Sequence, residues 1–309
     1  MQAIVYKSTG SWYIVKNELG ESFNVRIKGK FKIDNITSTN PLAVGDIVNI
    51  ENEKDIESTV ITEIFERKNY ITRSSPHNKN QHHIVASNLD QSLLFATIKD
   101  PRTSLGFIDR FLVTSEAYRV PAIIVFNKID LLKKKDEERL NHVKNLYEKI
   151  GYNIKTISIQ NNIGVEEVKE LLKNKTTLLS GHSGVGKSTF INHLFPEFNL
   201  KTQDVSDWSG KGMHTTTFAE MFDLSIGGKI IDTPGIRELG LVDIDKIELA
   251  HYFPEMRAMM SNCQFNNCIH INEPGCAIKN AVSENRDSIS EERYFSYLNI
   301  LESIELKSY

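Results

Sequence analysis

The sequence contains little cysteine and no long apolar run. Three of its 309 residues are cysteine, and this odd number argues against a disulfide framework. No stretch of eighteen apolar residues occurs, so we expect no membrane span. The first residues lack the basic start and apolar stretch of a signal peptide, which favours a cytoplasmic location. The net charge of −3 gives no general nucleic-acid signal, so such binding requires a local patch.

Three segments of different composition divide the chain. Residues 1–66 hold five short runs rich in Val, Ile, Phe and Tyr, punctuated by Gly and Pro, which predicts an OB-type β-barrel. In residues 67–240 apolar runs alternate with helical patterns, which predicts a mostly parallel sheet covered by helices on both faces. Residues 241–309 are expected to form a small helical domain. The polar segment 74–83 is expected to be a mobile joint between barrel and sheet.

The barrel segment is basic at its start. Up to Asp34 it carries six basic residues against three acidic ones. This excess fits two interpretations, a solvated barrel surface and an RNA-binding face, and the sequence alone leaves both open.

Three nucleotide-binding motifs occur in an unusual order. The Asn-Lys-x-Asp motif at Asn127–Asp130 comes first, and a phosphate loop at Gly181–Ser188 follows about fifty residues later. The Asp-x-x-Gly motif at Asp232–Gly235 comes last. Each motif follows an apolar, strand-like run, as expected for an open α/β sheet that binds ligands at the carboxyl ends of its strands. In ordinary GTPases the phosphate loop leads, so this order predicts a circularly permuted P-loop GTPase sheet.

The phosphate loop has the Gly-x4-Gly-Lys-Ser pattern. Its glycines allow backbone amides to converge on phosphate oxygens. We expect Lys187 to reach the β- and γ-phosphates and Ser188 to bind Mg²⁺. The residues of this segment that we assign to GTP binding are Gly181, His182, Ser183, Gly184, Val185, Gly186, Lys187, Ser188 and Thr189.

The Asn-Lys-x-Asp motif is assigned to the guanine base. Asp130 can accept hydrogen bonds from N1–H and the exocyclic amine of guanine, a pair that adenine lacks. Asn127 is expected to tie the strand end to the base edge and phosphate loop, while the Lys128 stem covers the ring. Ser158 follows the next strand and is expected to present its backbone amide to the guanine oxygen. Alone, such a motif is commonly a solvated turn; beside a phosphate loop it becomes specific.

The residues expected to act in hydrolysis lie around the last motif. Asp232 is expected to hold Mg²⁺ through water, and the Gly235 amide to sense the γ-phosphate. In segment 210–217, whose alternative interpretation is a polar surface loop, Thr216 is expected to complete the magnesium shell.

Catalysis also requires a group that orients water. Ile236 stands where Ras-like enzymes have glutamine, so His214 is the preferred substitute; a purely structural histidine is the alternative. The predicted catalytic set is therefore His214, Lys187 and Thr216, with slow intrinsic turnover that a partner raises.

All three cysteines fall within fourteen residues of the C-terminal segment. Three thiolates and one imidazole make a closed tetrahedral ligand set, the pattern of structural zinc, whereas buried or free thiols are the alternative. The predicted zinc ligands are Cys263, Cys268, His270 and Cys276.

On these motifs, their order and the metal cluster, the chain closely resembles the bacterial ribosome small subunit-dependent GTPase A family over essentially its full length. The resemblance implies a permuted GTPase with an N-terminal OB-type barrel and a zinc-binding C-terminal domain. It implies action late in 30S maturation, with binding to the 30S subunit and its 16S rRNA that stimulates GTP hydrolysis. It also implies a hydrophobic residue in place of the catalytic glutamine, in line with Ile236. Met213 departs from the pattern, since arginine commonly precedes the histidine.

A rival hypothesis is an RNA-binding adaptor in which GTP only gates docking and little hydrolysis occurs, which Ile236 would permit. A mechanical hypothesis follows from the motif order, because Asp232–Gly235 leads directly into the zinc-binding segment. Loss of the γ-phosphate would then reposition that segment and release the protein from the ribosome. We expect a monomer.

Overall fold

The computed structural model describes residues 1–10, 12–28, 41–53, 58–74, 82–198, 219–232, 244–284 and 289–304. The segment 75–81 lies outside the described residues, so mobility of the joint at 74–83 stays a prediction. Short paired strands, not expected from the sequence, flank it.

The N-terminal barrel has five strands, as predicted. They are β1 (Gln2–Ser8), β2 (Tyr13–Asn17), β3 (Ser22–Ile27), β4 (Ile47–Asn52) and β5 (Thr59–Ile64). Pairing runs in the order β1-β2-β3-β5-β4, and β4 returns to β1 to close the barrel. Alternate side chains such as Val5, Val15 and Val48 are fully buried, which gives the barrel its own apolar core.

The central domain is the predicted α/β sheet. Strands β6 (Tyr70–Ser74) and β7 (His82–Ser87) pair with each other in a separate two-stranded sheet. The strands of the α/β sheet are β8 (Gln91–Ala96), β9 (Ala122–Phe126), β10 (Asn153–Thr156), β11 (Thr176–Ser180), β12 (Glu220–Asp223) and β13 (Lys229–Asp232). Its helices are α1 (Leu105–Ala117), α2 (Lys134–Ile150), α3 (Val165–Leu172) and α4 (Lys187–Leu194). Strands β10, β9, β8, β11 and β13 are parallel neighbours, and β12 adds antiparallel.

Both faces of this sheet are covered. Along β8, Leu93 and Phe95 point into one apolar cluster, while Leu94 and Ala96 point into the other. The continuous apolar composition of the strand follows from this two-sided burial, because successive side chains alternate between faces.

Barrel and central sheet are one continuous sheet, which the sequence did not predict. Strand β1 pairs antiparallel with β12 at Lys7 and Glu220, so the barrel covers what would be an open sheet edge. Across this joint Lys7 Nζ lies 2.9 Å from Glu220 Oε2. Asp223 accepts hydrogen bonds from Tyr6 and Lys16 at 2.5 and 2.7 Å.

The C-terminal segment contains three α-helices among its described residues. They are α5 (Pro254–Arg257), α6 (Ala277–Ser283) and α7 (Glu291–Ser303). Their apolar cluster includes Val113, so the segment packs against α1. Among the described residues no helix combines the length and apolar character that crossing a membrane requires.

Candidate nucleotide site and candidate metal centre

The predicted nucleotide motifs meet at one edge of the central sheet. Strand β9 runs into Asn127, β11 into Gly181, and β13 ends at Asp232. With β8 between β9 and β11, these strands are parallel neighbours, so their carboxyl ends lie side by side. This is the edge at which open α/β sheets bind ligands.

The phosphate loop needs its glycines for two different reasons. Gly181, Gly184 and Gly186 all have positive φ, at 135°, 81° and 100°. In addition, a Cβ at Gly181 would collide with the Phe95 carbonyl, and one at Gly186 with the Asn127 amide. The loop therefore packs directly on the β8 strand end and on the base-reading motif.

Lys187 is almost buried at the start of α4. Its side chain is 9% exposed, and its ammonium donates to the carbonyls of Gly181 and His182 at 2.7 and 2.9 Å. Burial lowers the pKa of Lys187, and the charge of Asp232 opposes this shift. The two hydrogen bonds hold the ammonium inside the loop.

The base-reading motif is tied to the phosphate loop by Asn127. This residue is buried, and its Nδ2 donates to the Val185 carbonyl at 2.9 Å. Among the described residues no partner lies near Asn127 Oδ1, which leaves that acceptor for a ligand or water. Lys128 adopts a left-handed conformation, and its Nζ donates to the Asp100 carbonyl at 2.5 Å.

Ser158 acts on Asp130 through its hydroxyl. Ser158 Oγ donates to Asp130 Oδ1 at 2.5 Å, and it accepts from the Asn161 amide. The backbone amide of Ser158 donates to the Ile163 carbonyl at 3.0 Å. The Ser158 amide is therefore engaged within the chain, while its side chain orients the Asp130 carboxylate; the expected contact of that amide with the guanine oxygen stays a prediction.

Of the remaining residues predicted to act at the nucleotide site, some lie within the described ranges and others lie outside them. Ser188 and Asp232 lie at this edge, partly exposed, while Ser183 and Thr189 are exposed. Residues His214, Thr216, Gly235 and Ile236 lie outside the described residues.

Two contacts were missed from the sequence. The Asp100 carbonyl accepts a hydrogen bond from Lys128, and the Phe107 ring stacks on His182 of the phosphate loop at 3.8 Å between centroids. Neither residue belongs to a motif, and their only signal is tertiary proximity.

The predicted metal ligands converge. The four candidate ligand atoms of Cys263, Cys268, His270 and Cys276 all lie within 4.8 Å of one another. His270 Nδ1 is 3.7 Å from Cys263 Sγ and 3.4 Å from Cys276 Sγ. Tetrahedral zinc with usual bond lengths places nitrogen and sulfur ligands about 3.6 Å apart. The donor set and its spacing therefore fit zinc.

The loop that carries the ligands is fixed from both sides. Glu273 accepts from the amides of Ile269, Ile271 and Asn272 at 2.8 to 3.0 Å. Tyr294 on α7 donates to the His270 carbonyl at 2.6 Å. Burial raises the pKa of the Cys268 thiol to about 12, so a thiolate there requires a compensating cation.

Comparison with known proteins gives a consistent result. Residues 64–242 match the family model described as RsgA GTPase, and residues 2–60 match the RsgA N-terminal domain. The chain is 50% identical over 304 residues to the small ribosomal subunit biogenesis GTPase RsgA of Flavobacterium psychrophilum, covering 98% of this chain and 93% of that protein. It is 51% identical over 311 residues to the protein of the same name from Phocaeicola vulgatus, covering 100% and 99%.

Solved structures show the same architecture. YjeQ from Thermotoga maritima superposes with a TM-score of 0.76 at 32% identity, covering 98% of this chain and 97% of that one. YloQ, described as a circularly permuted GTPase, gives a TM-score of 0.73 at 29% identity, covering 98% and 94%. The permuted fold predicted from the motif order is thereby confirmed.

Proposed function

The chain belongs to the RsgA family and is a GTPase, and on that basis we propose that its GTP hydrolysis serves biogenesis of the small ribosomal subunit. The observation that carries the site is the meeting of three separate sequence segments at one sheet edge. There Asn127, Lys187 and Asp130 present an amide, an ammonium and a carboxylate in the pattern that GTP requires. The proposed substrate is GTP, and the proposed partners are the 30S subunit and its 16S rRNA.

The proposed mechanism is positioning and charge stabilisation. The loop amides and Lys187 bind the phosphates, while Asp130, oriented by Ser158, selects guanine. The GTPase family implies Mg²⁺, which neutralises phosphate charge when bound; Ser188, Thr216 and Asp232 are the residues proposed to hold it. Gly235 is proposed to sense the γ-phosphate and His214 to orient water.

Two barrel lysines are already engaged within the molecule. Lys7 and Lys16 are about 30% exposed and pair with Glu220 and Asp223 across the joint to β12. Arg26 likewise pairs with Glu53. These three basic residues make intramolecular ion pairs, so proposed rRNA binding through them would have to exchange those pairs for phosphate contacts.

The partner is tested by measuring GTP hydrolysis with and without purified 30S subunits. We expect the subunits to raise turnover, and His214→Ala to lose most of that rise, by about 10²-fold or more, because a water-orienting group is removed. His142→Ala, at an exposed histidine of α2 outside the nucleotide motifs, is the matched control and should leave the stimulation unchanged. Stimulation that is absent in the wild type would favour the adaptor hypothesis, and full stimulation of His214→Ala would remove that residue from the mechanism.

The metal proposal is structural zinc held by Cys263, Cys268, His270 and Cys276. Elemental analysis of the purified chain is expected to find about one zinc per molecule. Cys276→Ser should abolish stoichiometric zinc, whereas Asn266→Ala, an exposed neighbour, should retain it. A zinc-free wild type that keeps its C-terminal segment folded would contradict the proposal.

The rest of the proposal concerns organisation. We assign residues 1–66 to the barrel, 67–240 to the GTPase domain and 241–309 to the zinc-binding domain. We also propose a monomer that acts in the cytoplasm, where small ribosomal subunits are assembled.

A further inference from the structure

Helix α1 contacts the phosphate loop through one aromatic pair. The rings of Phe107 and His182 lie 3.8 Å apart at an interplanar angle of 29°, a stacked arrangement. Ser104 caps the helix by accepting a hydrogen bond from the Phe107 amide at 3.2 Å. The cap fixes the backbone of the residue that covers His182.

His182 in turn lies next to the phosphate-binding ammonium. Its carbonyl accepts from Lys187 Nζ at 2.9 Å, so a shift of His182 moves a group that holds Lys187. The segment before α1 adds two contacts. Pro101 lies beside Gly184, and the Asp100 carbonyl accepts a hydrogen bond from Lys128 Nζ. The first turn of α1 and its leading segment thus touch both the phosphate loop and the base-reading motif.

Two residues beyond Phe107, the same helix is fixed to the C-terminal domain. Asp109 is 1% exposed and accepts from Arg293 Nη1 of α7 at 2.6 Å. Arg293 is fully buried and also donates to Glu255 through Nε and Nη2. Tyr147 of α2 donates to the same Asp109 oxygen at 2.6 Å. Helix α1 is therefore held between the C-terminal domain and α2.

We infer that α1 is a positioning helix for the phosphate loop. Phe107, acting through His182, keeps the loop in its binding conformation, and Arg293 keeps α1 where Phe107 can do so. A loop that is already ordered binds nucleotide more tightly, because less ordering accompanies binding. The inference rests on the proposed nucleotide site and adds to it two residues outside every motif.

The first test compares Phe107→Ala with Phe107→Tyr in the full-length chain, using a fluorescent GDP analogue. An aromatic stack corresponds to a factor of about 2 to 12 in affinity. We expect Phe107→Ala to raise Kd by about fivefold or more through faster dissociation, and to raise KM for GTP more than it lowers kcat. Phe107→Tyr, which keeps the ring, should restore wild-type affinity.

The second test asks whether the C-terminal domain acts through Phe107. Arg293→Lys keeps the charge but loses the planar fork. It is expected to weaken GDP binding by about twofold or more in the wild-type background and much less in Phe107→Ala. Thermal unfolding of each variant verifies that it is folded at the assay temperature.

Each outcome has one meaning. Unchanged Kd in Phe107→Ala, or equal weakening by alanine and tyrosine, overturns the role of Phe107. Fully additive effects of the two substitutions overturn the link to Arg293. If the wild-type chain itself fails to bind GDP, the proposed function fails, and that result is distinct from the other two.

Discussion

Replacing Asp130 with asparagine is expected to turn a guanine site into a xanthine site. In the proposed site the Asp130 carboxylate accepts two hydrogen bonds from guanine, whereas an asparagine side chain accepts one and can donate to the oxygen that xanthine carries in place of the amine. With guanine bound, the asparagine amide and the guanine amine are two facing donors that each lack an acceptor, which corresponds to roughly 2–6 kcal/mol. We therefore expect GTP affinity to fall by roughly 10²- to 10⁴-fold, with xanthosine triphosphate becoming the better ligand.

Competition binding with GTP, ATP and xanthosine triphosphate measures this exchange. Asp130→Ala is the matched control, because it removes the carboxylate without supplying a donor and should weaken GTP without making xanthosine triphosphate the better ligand. Ser158→Ala should weaken GTP less than either, since Ser158 only orients Asp130 through its 2.5 Å hydrogen bond. Guanine selectivity that survives Asp130→Asn would show that another group reads the base.

The sequence predicted where these motifs lie in the fold because each motif and its strand are adjacent along the chain. A strand end followed by a motif defines both the residue type and the sheet edge, as at Phe126 and Asn127. The candidate zinc ligands could also be predicted from the sequence, because all four lie within one short segment. Individual backbone hydrogen bonds could not be predicted from the sequence. The Ser158 amide, for example, donates to the Ile163 carbonyl, a bond that depends on the turn between the two residues.

Contacts between distant segments were missed for a different reason. The pairing of Lys7 with Glu220 joins residues 213 positions apart, and no periodicity in either strand indicates the other. Arg293 and Asp109 are 184 positions apart. In sequence both look like ordinary surface charges, since charged residues are rarely buried unless paired. Only the fold brings the partners together.

The attachment of the C-terminal domain changes the mechanical hypothesis. The motif order places that domain directly after Asp232–Gly235 along the chain, which suggested that γ-phosphate loss repositions it. Its described residues, however, are fastened to α1 by the buried Arg293–Asp109 pair and by Arg257, which lies 3.1 Å from Glu116. A nucleotide-dependent movement of the domain would therefore have to break these contacts or move α1 together with the domain.

Replacing the buried Arg293 with alanine is expected to destabilise the folded protein strongly. Removing one partner of a buried ion pair leaves the other charge uncompensated, which corresponds to about 3–5 kcal/mol. Here two carboxylates, Asp109 and Glu255, would lose the same guanidinium. Denaturant unfolding should show the loss, with Lys173→Ala, from an exposed ion pair with Glu170, within about 0.5 kcal/mol of wild type. A loss below about 1 kcal/mol in Arg293→Ala would contradict the assigned role.

The pH dependence of that loss identifies its cause. Burial raises the pKa of Asp109 above its ordinary value of 3.8, and Arg293 opposes the rise. Without Arg293 the pKa must rise further, so the folded variant retains a proton that the unfolded chain releases. Stability then declines as pH increases from the ordinary pKa toward the raised one. The deficit of Arg293→Ala relative to wild type should therefore be larger at pH 7 than at pH 5.

Arg293→Ala combined with Asp109→Asn should lose much of this difference, because an amide carries no charge. A deficit independent of pH would instead indicate lost packing of the arginine against Phe253, which its guanidinium covers at 4.6 Å.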